Sequence, residues 1–155
     1  MKLILDKILG SLLVFLMAVM VTAVSWQVFS RYILQSSSSF TEEIARYLLI
    51  WIGILGAAFI AGQQQHLSID ILAPKLSPKN RIKLRMGINV LIILFCLLVL
   101  VIGGSNLVYL NYLLGQTSAA LNIPLGAVYT VIPISGVLVI IYKVNELLNP
   151  KQYLV

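Results

Sequence analysis

Long stretches without a charged residue constrain this chain more than any other feature of its sequence. They run from Ile8 to Ser30, from Tyr47 up to Asp70, and from Met86 to Tyr142. A helix of about 20 residues crosses the hydrocarbon core of a bilayer. The first stretch therefore fits one membrane-spanning helix, and the other two have to be divided.

Polar residues show where the division falls. The second stretch is interrupted by Gln63-Gln64-Gln65-His66, so it holds one span that begins near Phe40. The third stretch is too long for a single helix and is cut near Gly115-Gln116-Thr117-Ser118, with Asn122 and Pro124 just beyond. The sequence thus predicts four transmembrane helices, at about residues 8–30, 40–62, 86–114 and 123–142.

Composition supports this interpretation. Hydrophobic residues make up 60% of the chain and charged residues 10%, with a mean hydropathy of +1.00. A soluble domain is about half apolar and about a quarter charged, and disordered chains are less apolar still. We therefore predict an all-α integral membrane protein, with residues 1–155 as a single membrane domain and short amphipathic segments at the interface.

The basic residues predict the orientation, because cytoplasmic segments of membrane proteins are enriched in Lys and Arg. Nine of the eleven basic residues lie in the N-terminal tail, the loop at 63–85 and the C-terminal tail. Both termini should then be cytoplasmic. The net charge of +6 reports this topology rather than a nucleic-acid partner. Four aromatic residues near the opposite helix ends either anchor the chain at the interface or fill helix contacts: Trp26, Trp51, Tyr109 and Tyr112.

An acidic turn opens the second predicted helix. Ser39-Phe40-Thr41-Glu42 fits a capping box, in which Ser39 and Glu42 would each bond the other's backbone amide. Arg46 lies four residues after Glu42 and three after Glu43, so an ion pair along the helix is expected. This turn either caps the helix or forms a periplasmic contact for a partner protein.

Small residues recur every four positions further along the same helix, at Gly53, Ala57 and Ala61. Such spacing lets helix backbones approach closely and drives helix association in lipid. The pattern predicts a helix interface, either within this chain or with another protein. In the fourth span, Pro133 should produce a kink because it lacks an amide hydrogen.

The loop at 63–85 is the most polar part of the chain. Its basic residues Lys79, Arg81, Lys83 and Arg85 lead directly into the third span. Long basic side chains reach lipid headgroups while their stems cover apolar surface. Lipid headgroup contact is the favoured interpretation, with a specific protein contact as the alternative.

Residues for chemistry are scarce. Ionisable residues within spans usually mark transport pathways or proton relays, and the four predicted spans hold none at mid-depth. One histidine and one cysteine supply neither paired haem ligands nor a dithiol redox pair. We therefore predict a protein that is not an enzyme, that holds no cofactor or metal, and that serves as an accessory or scaffold subunit.

Three segments carry a resemblance to a known family. They are Trp26-Gln27-Val28-Phe29-Ser30-Arg31-Tyr32, the region from Phe40 to Tyr47 with Trp51 and Gly53 to Ala58, and His66-Leu67-Ser68-Ile69-Asp70. In this order they resemble the small membrane (Q) subunit of tripartite ATP-independent periplasmic (TRAP) transporters.

The resemblance implies a multi-pass protein of the bacterial inner membrane, paired with a large membrane (M) subunit and a periplasmic substrate-binding protein. It implies that the large subunit holds the substrate and Na⁺ sites and moves, while the small subunit is a fixed scaffold. Substrates would be organic anions such as C4-dicarboxylates or sialic acids. Arg31, Glu42, Glu43 and Arg46 would form a periplasmic contact region, and His66 and Asp70 would mark the cytoplasmic end of the second helix.

Two other function classes remain open at this point. The chain could be a self-contained small transporter that works as a homo-oligomer, or a membrane assembly protein without transport. Co-purification with a larger membrane protein would separate these from a scaffold subunit.

Overall fold

A computed structural model describes residues 2–35, 38–63 and 78–148 of the chain. Within these ranges, four helices are long and apolar enough to cross a membrane, which confirms the predicted number of spans. They cover Lys2–Tyr32, Ser39–Gly62, Ile82–Leu113 and Leu125–Leu148. The first helix begins at Lys2, before the predicted start at residue 8, and the fourth ends at Leu148, beyond the predicted end at residue 142.

The four spans consist of six α-helices and one π-helical stretch. The first two spans are α1 (Lys2–Tyr32) and α2 (Ser39–Gly62). The third consists of α3 (Pro78–Phe95), a π-helical stretch (Cys96–Gly103) and α4 (Gly104–Leu113). The fourth consists of the short α5 (Leu125–Tyr129) and α6 (Val131–Leu148).

The connection between the third and fourth spans is a tight hairpin, at the place where the polar residues predicted a break. Gly115 has a φ of +60° and Asn122 a φ of +53°, in the left-handed region that suits these two residue types. Thr117 and Pro124 form an isolated antiparallel bridge at the base of the hairpin. The hairpin therefore turns the chain back over a short distance.

The fourth span is interrupted at Thr130, between α5 and α6. Pro133 has no amide hydrogen to bond the Tyr129 carbonyl, and its ring crowds that carbonyl. The predicted disruption by Pro133 is therefore present, as a break in the helix one turn before the proline.

The helices pack around α6. It contacts α2, α3 and the π-helical stretch, and α1 packs on α2. One apolar core cluster is centred on Leu9, Leu55, Val131 and Tyr142. A second contains Ala58, Cys96 and Val139. Many large apolar side chains on the outer faces are exposed in the isolated chain, which is the surface that lipid or a partner helix would cover.

Two glycines permit close approaches of α6 to its neighbours. A Cβ atom added to Gly62 would lie 2.7 Å from the Tyr142 ring, and one added to Gly136 would lie 2.7 Å from Leu100 Cβ. The first contact joins the end of α2 to α6, and the second joins α6 to the π-helical stretch. Substitution at either position requires the neighbouring helix to move.

The predicted capping box at the start of α2 is wrong. Ser38 is the N-cap residue, with extended backbone angles and no side-chain capping hydrogen bond. Ser39 already lies within the helix, so its hydroxyl is not in the position from which an N-cap side chain bonds. The Thr41 hydroxyl donates to the Ser38 carbonyl at 3.0 Å instead, and the Glu42 carboxylate pairs with Arg46.

Candidate functional site

Polar side chains gather at the two opposite ends of the bundle. We call the end that holds the start of α2 and the 114–124 hairpin the Glu43 end. The other end, where α1 begins and α6 finishes, we call the Glu146 end. These two regions are the candidate functional sites of the chain.

At the Glu43 end, the carboxylate of Glu43 binds the turn of the hairpin. It accepts hydrogen bonds from the backbone amides of Ala119, Ala120 and Leu121 at 3.1, 2.8 and 2.9 Å. The Ser118 hydroxyl donates a fourth bond at 2.9 Å, and the Tyr47 hydroxyl a fifth at 3.1 Å. Consecutive amides that converge in this way form an anion-binding nest. Glu43 therefore clamps the hairpin onto α2.

Glu42, the neighbouring carboxylate, binds a different partner. It pairs with Arg46 at 3.1 Å, which confirms the ion pair expected from their spacing. Both side chains are more than half exposed, at 51% for Glu42 and 64% for Arg46. Together with Ser39, Ala119 and Ala120 they line a polar recess of about 180 Å³. This recess is open for contact with another molecule.

Below the clamp, Trp51 ties α2 to the fourth span. Its indole N–H donates to the Val128 carbonyl at 3.0 Å. The last carbonyls of a helix have no partner within it, and α5 ends at Tyr129. Trp51 thus satisfies a carbonyl exposed by the break at Thr130. An apolar groove of about 350 Å³ runs beside this contact, lined by Ile44, Tyr47, Leu48, Trp51, Leu121, Ile123, Ala127 and Val128.

The predicted small-residue stripe divides into two parts. Gly53 and Ala57 are exposed, and a Cβ atom at Gly53 would meet nothing within 4 Å. Ala61 packs against the core cluster that contains Ala58 and Cys96. Within the described chain, the close approach of α2 to α6 therefore uses Ala58 and Gly62, while Gly53 and Ala57 face outward.

At the Glu146 end, three charged side chains meet inside the helix packing. Glu146 Oε2 lies 3.0 Å from Lys143 Nζ, and Glu146 Oε1 lies 3.1 Å from Arg85 Nε. The Lys143 side chain is fully buried and the Glu146 side chain is 5% exposed. Asn89, also buried, faces the same carboxylate. This cluster joins α3 to α6.

The cluster was not foreseen from the sequence, although a signal was present. Lys143 and Glu146 are three residues apart, which places them on one helix face, but the fourth span was predicted to end at Tyr142. Arg85 was expected to contact lipid headgroups. Its guanidinium pairs with Glu146 while its side chain is 25% exposed, so the lipid contact stays a prediction. Lys83, two residues earlier, is exposed.

A further contact closes the same end. The Tyr142 hydroxyl donates to the Asp6 carboxylate at 2.7 Å, which links α6 to the start of α1. The ring of Tyr142 covers Gly62. The first helix, the end of the second and the end of the fourth therefore meet at one tyrosine.

Several predicted residues are not placed by these contacts. His66 and Asp70 lie outside the described residues, as do the side chains of Lys79 and Arg81. Arg31 is in the last turn of α1.

Trp26 is half-exposed and stacks on Phe29, and Tyr109 is exposed at 62%. Tyr112 contacts Gly126. Their predicted role as interfacial anchors stays a prediction.

The arrangement suits mechanical connection more than chemistry. Among residues 2–35, 38–63 and 78–148, no group of three or more His, Cys, Asp or Glu side chains comes close enough to hold a metal ion. Both polar sites use carboxylates to hold helix ends together. The Gly53–Ala57 face and the recess beside Glu42 remain as surfaces for other molecules.

Comparison with known families agrees with this description. Residues 20–151 match the family of the DctQ component of tripartite ATP-independent periplasmic transporters. The chain belongs to this family. It is thus a small permease subunit of a TRAP transporter, a class of membrane transport protein and not of enzyme.

Individual relatives of this TRAP small subunit cover most of its length. A TRAP transporter small permease protein of Haemophilus influenzae is 32% identical over 93% of this chain and 88% of its own length. The sialic acid TRAP transporter small permease protein SiaQ of Vibrio cholerae is 25% identical over 86% of this chain and 76% of its own length. The match spans all four helices.

Proposed function

We propose that this TRAP small subunit is the fixed scaffold on which a large membrane (M) subunit is held during sodium-driven uptake of an organic anion. The observation that carries the proposal is the family match across residues 20–151. TRAP transporters are tripartite, and the other two components are a large membrane subunit and a substrate-binding protein. This chain would supply neither the substrate site nor the Na⁺ site.

The distribution of charge supports a scaffold. Every charged side chain of the four spans lies near a helix end. Those described at the two ends include Glu43 and Glu146, which are engaged in holding helices together. A transport pathway for an anion and Na⁺ needs polar groups at mid-membrane. The spans of this chain are better suited to packing than to carrying a solute.

The exposed face of α2 supports the proposal that another protein binds this chain. Gly53 and Ala57 present a small, smooth surface with no neighbour from the described chain. Small residues at this spacing allow a second helix to approach closely in lipid. We assign this face to the large membrane subunit, with lipid covering the other outer helix faces.

The Glu43 end is assigned to the periplasm and the Glu146 end to the cytoplasm of a bacterial inner membrane. The basic tails and the loop at 63–85 support this orientation. Glu42 and Arg46 would then offer a periplasmic contact for the binding protein or the large subunit. Glu43 would act indirectly, because its carboxylate shapes the hairpin that borders the same recess.

The substrate class follows from the family and not from this chain. One relative is named as part of a sialic acid transporter, and C4-dicarboxylates are the other anion class that the sequence resemblance implies. The residues that select between them would lie in the other two components.

Co-purification tests the scaffold assignment. The tagged chain, expressed together with a TRAP large membrane subunit from the same bacterium, should retain that subunit in mild detergent. Ala57→Leu should reduce the recovered large subunit several-fold, because the added side chain separates the two helices. Val14→Phe, on the exposed face of α1, is the matched control and should have no effect. Full recovery with Ala57→Leu would overturn the assignment of this face.

A further inference from the structure

The charged cluster at the Glu146 end, in which Lys143 and Glu146 are buried and Arg85 is partly exposed, is an arrangement that the scaffold role does not require. Lys143 is fully enclosed by protein, although Lys is almost never buried without a partner. It lies in a helix long and apolar enough to cross a membrane. An ammonium group in such a position costs free energy unless an opposite charge lies beside it.

Glu146 meets this need from the same helix. Its Oε2 atom is 3.0 Å from Lys143 Nζ, one turn earlier on α6. Its Oε1 atom is directed to a different helix, where it lies 3.1 Å from Arg85 Nε. One carboxylate therefore serves a basic group on each of two spans.

The position of Arg85 gives this contact a structural consequence. Arg85 is in the third turn of α3, whereas Glu146 is in the last turn of α6. Asn89, one turn after Arg85, approaches the same carboxylate and is 2% exposed. The first turns of α3 and the last turns of α6 are thus held together by polar groups that all converge on Glu146.

We propose that Glu146 is a charge lock, which compensates the buried Lys143 ammonium and keeps the start of the third span closed against the end of the fourth. The lock is a property of this chain alone and does not depend on its role in transport. Loss of the carboxylate should therefore make the buried position of Lys143 less favourable.

The lock makes a specific prediction about neutral variants. Removal of one member of a buried ion pair is strongly destabilising, whereas replacement of both members by neutral side chains of similar volume is often harmless. Glu146→Gln should therefore be much worse than the double variant Lys143→Met with Glu146→Gln. Arg85 tolerates the double change because a quarter of its side chain reaches the surface.

Cys96 provides a built-in reporter for the experiment. It is the single cysteine of the chain and is 3% exposed. It packs in the cluster with Ala58 of α2 and Val139 of α6. A thiol-reactive fluorogenic dye will therefore report when α6 separates from its neighbours. The purified full-length chain in detergent is heated with the dye, and the midpoint of Cys96 labelling is measured.

The expected result is a clear order of midpoints. Glu146→Gln should lower the midpoint by about 5 °C or more, and the neutral double variant should return to within about 2 °C of the original chain. Exchange of the two residues, Lys143→Glu with Glu146→Lys, should fall below the neutral double variant, because a lysine would then face Arg85. Glu42→Gln, which breaks the exposed pair at the other end, should have little effect.

Two results would overturn the proposal. The first is a Glu146→Gln midpoint equal to that of Glu42→Gln. The second is a neutral double variant as unstable as Glu146→Gln, which would mean that shape and not charge compensation matters. Where Glu146→Gln fails to accumulate in the membrane, the yield of the neutral double variant decides in the same way: recovery supports the lock, and equal loss contradicts it.

Discussion

The Glu43 carboxylate accepts a hydrogen bond from the Ala120 amide at 2.8 Å, across 77 positions of sequence. With the neighbouring amides of the turn, this bond fixes the hairpin between the third and fourth spans to the start of the second. The same side chain also lines the polar recess beside Glu42. The shape of this end of the molecule therefore depends on one carboxylate.

Neutralisation of Glu43 should loosen the hairpin. Glu43→Gln keeps the length of the side chain and one acceptor oxygen, but places an amide N–H₂ among backbone donors, so the bonds made to one of the two carboxylate oxygens are lost. We expect a lower free energy of unfolding and faster hydrogen exchange at the amides of Ala119, Ala120 and Leu121. Exchange measured by mass spectrometry checks this.

Glu42→Gln is the matched control for that experiment. It removes the adjacent carboxylate, which pairs with Arg46 on the exposed face, whereas the bonds to the amides of the turn are made by Glu43. Hydrogen exchange at residues 119–121 should stay unchanged. Equal exchange rates in the two variants would show that Glu43 does not hold the hairpin.

Gly62 should tolerate no side chain. The Cβ of Gly62→Ala would lie 2.7 Å from the ring of Tyr142, and overpacking of this kind costs about 1–3 kcal/mol. Gly53→Ala, in the same helix, meets nothing within 4 Å of its Cβ in this chain and should leave the stability of the isolated chain unchanged or slightly higher. Thermal unfolding of the two purified variants separates them, and equal midpoints would contradict the packing described for α2 and α6.

Charge reversal beside the recess should affect transport and not folding. Glu42→Arg combined with Arg46→Glu retains an ion pair, since the two residues remain one turn apart. It exchanges the positions of the positive and the negative group that a partner would meet. We expect the same amount of assembled complex and uptake reduced several-fold. Normal uptake by this variant would exclude the recess as a functional contact.

Features that depend on local spacing were predictable from the sequence. The four spans follow from runs of apolar residues, and the Glu42–Arg46 pair follows from helical geometry. The break near Pro133 follows from the missing amide hydrogen. Each of these depends on residues within a few turns of one another, so periodicity and residue chemistry were sufficient.

The contacts that define the two polar ends depend on the packing of distant segments. Glu43 reaches Ala120, and Arg85 reaches Glu146, only after the spans have assembled in one particular order. Spacing along α2 likewise could not show that Gly62, and not Gly53, is the glycine covered by another helix of this chain. The predicted capping box failed for a related reason, since its pattern fits Ser39 although the helix begins after Ser38.

Uptake by reconstituted proteoliposomes tests the central claim most directly. Vesicles would contain this chain alone, the large subunit alone or both, with the binding protein, an inward Na⁺ gradient and radiolabelled sialic acid or C4-dicarboxylate outside. A scaffold subunit predicts Na⁺-dependent uptake of one of these anions only when both membrane subunits are present. Uptake by this chain alone, or equal uptake by the large subunit without it, would contradict the account.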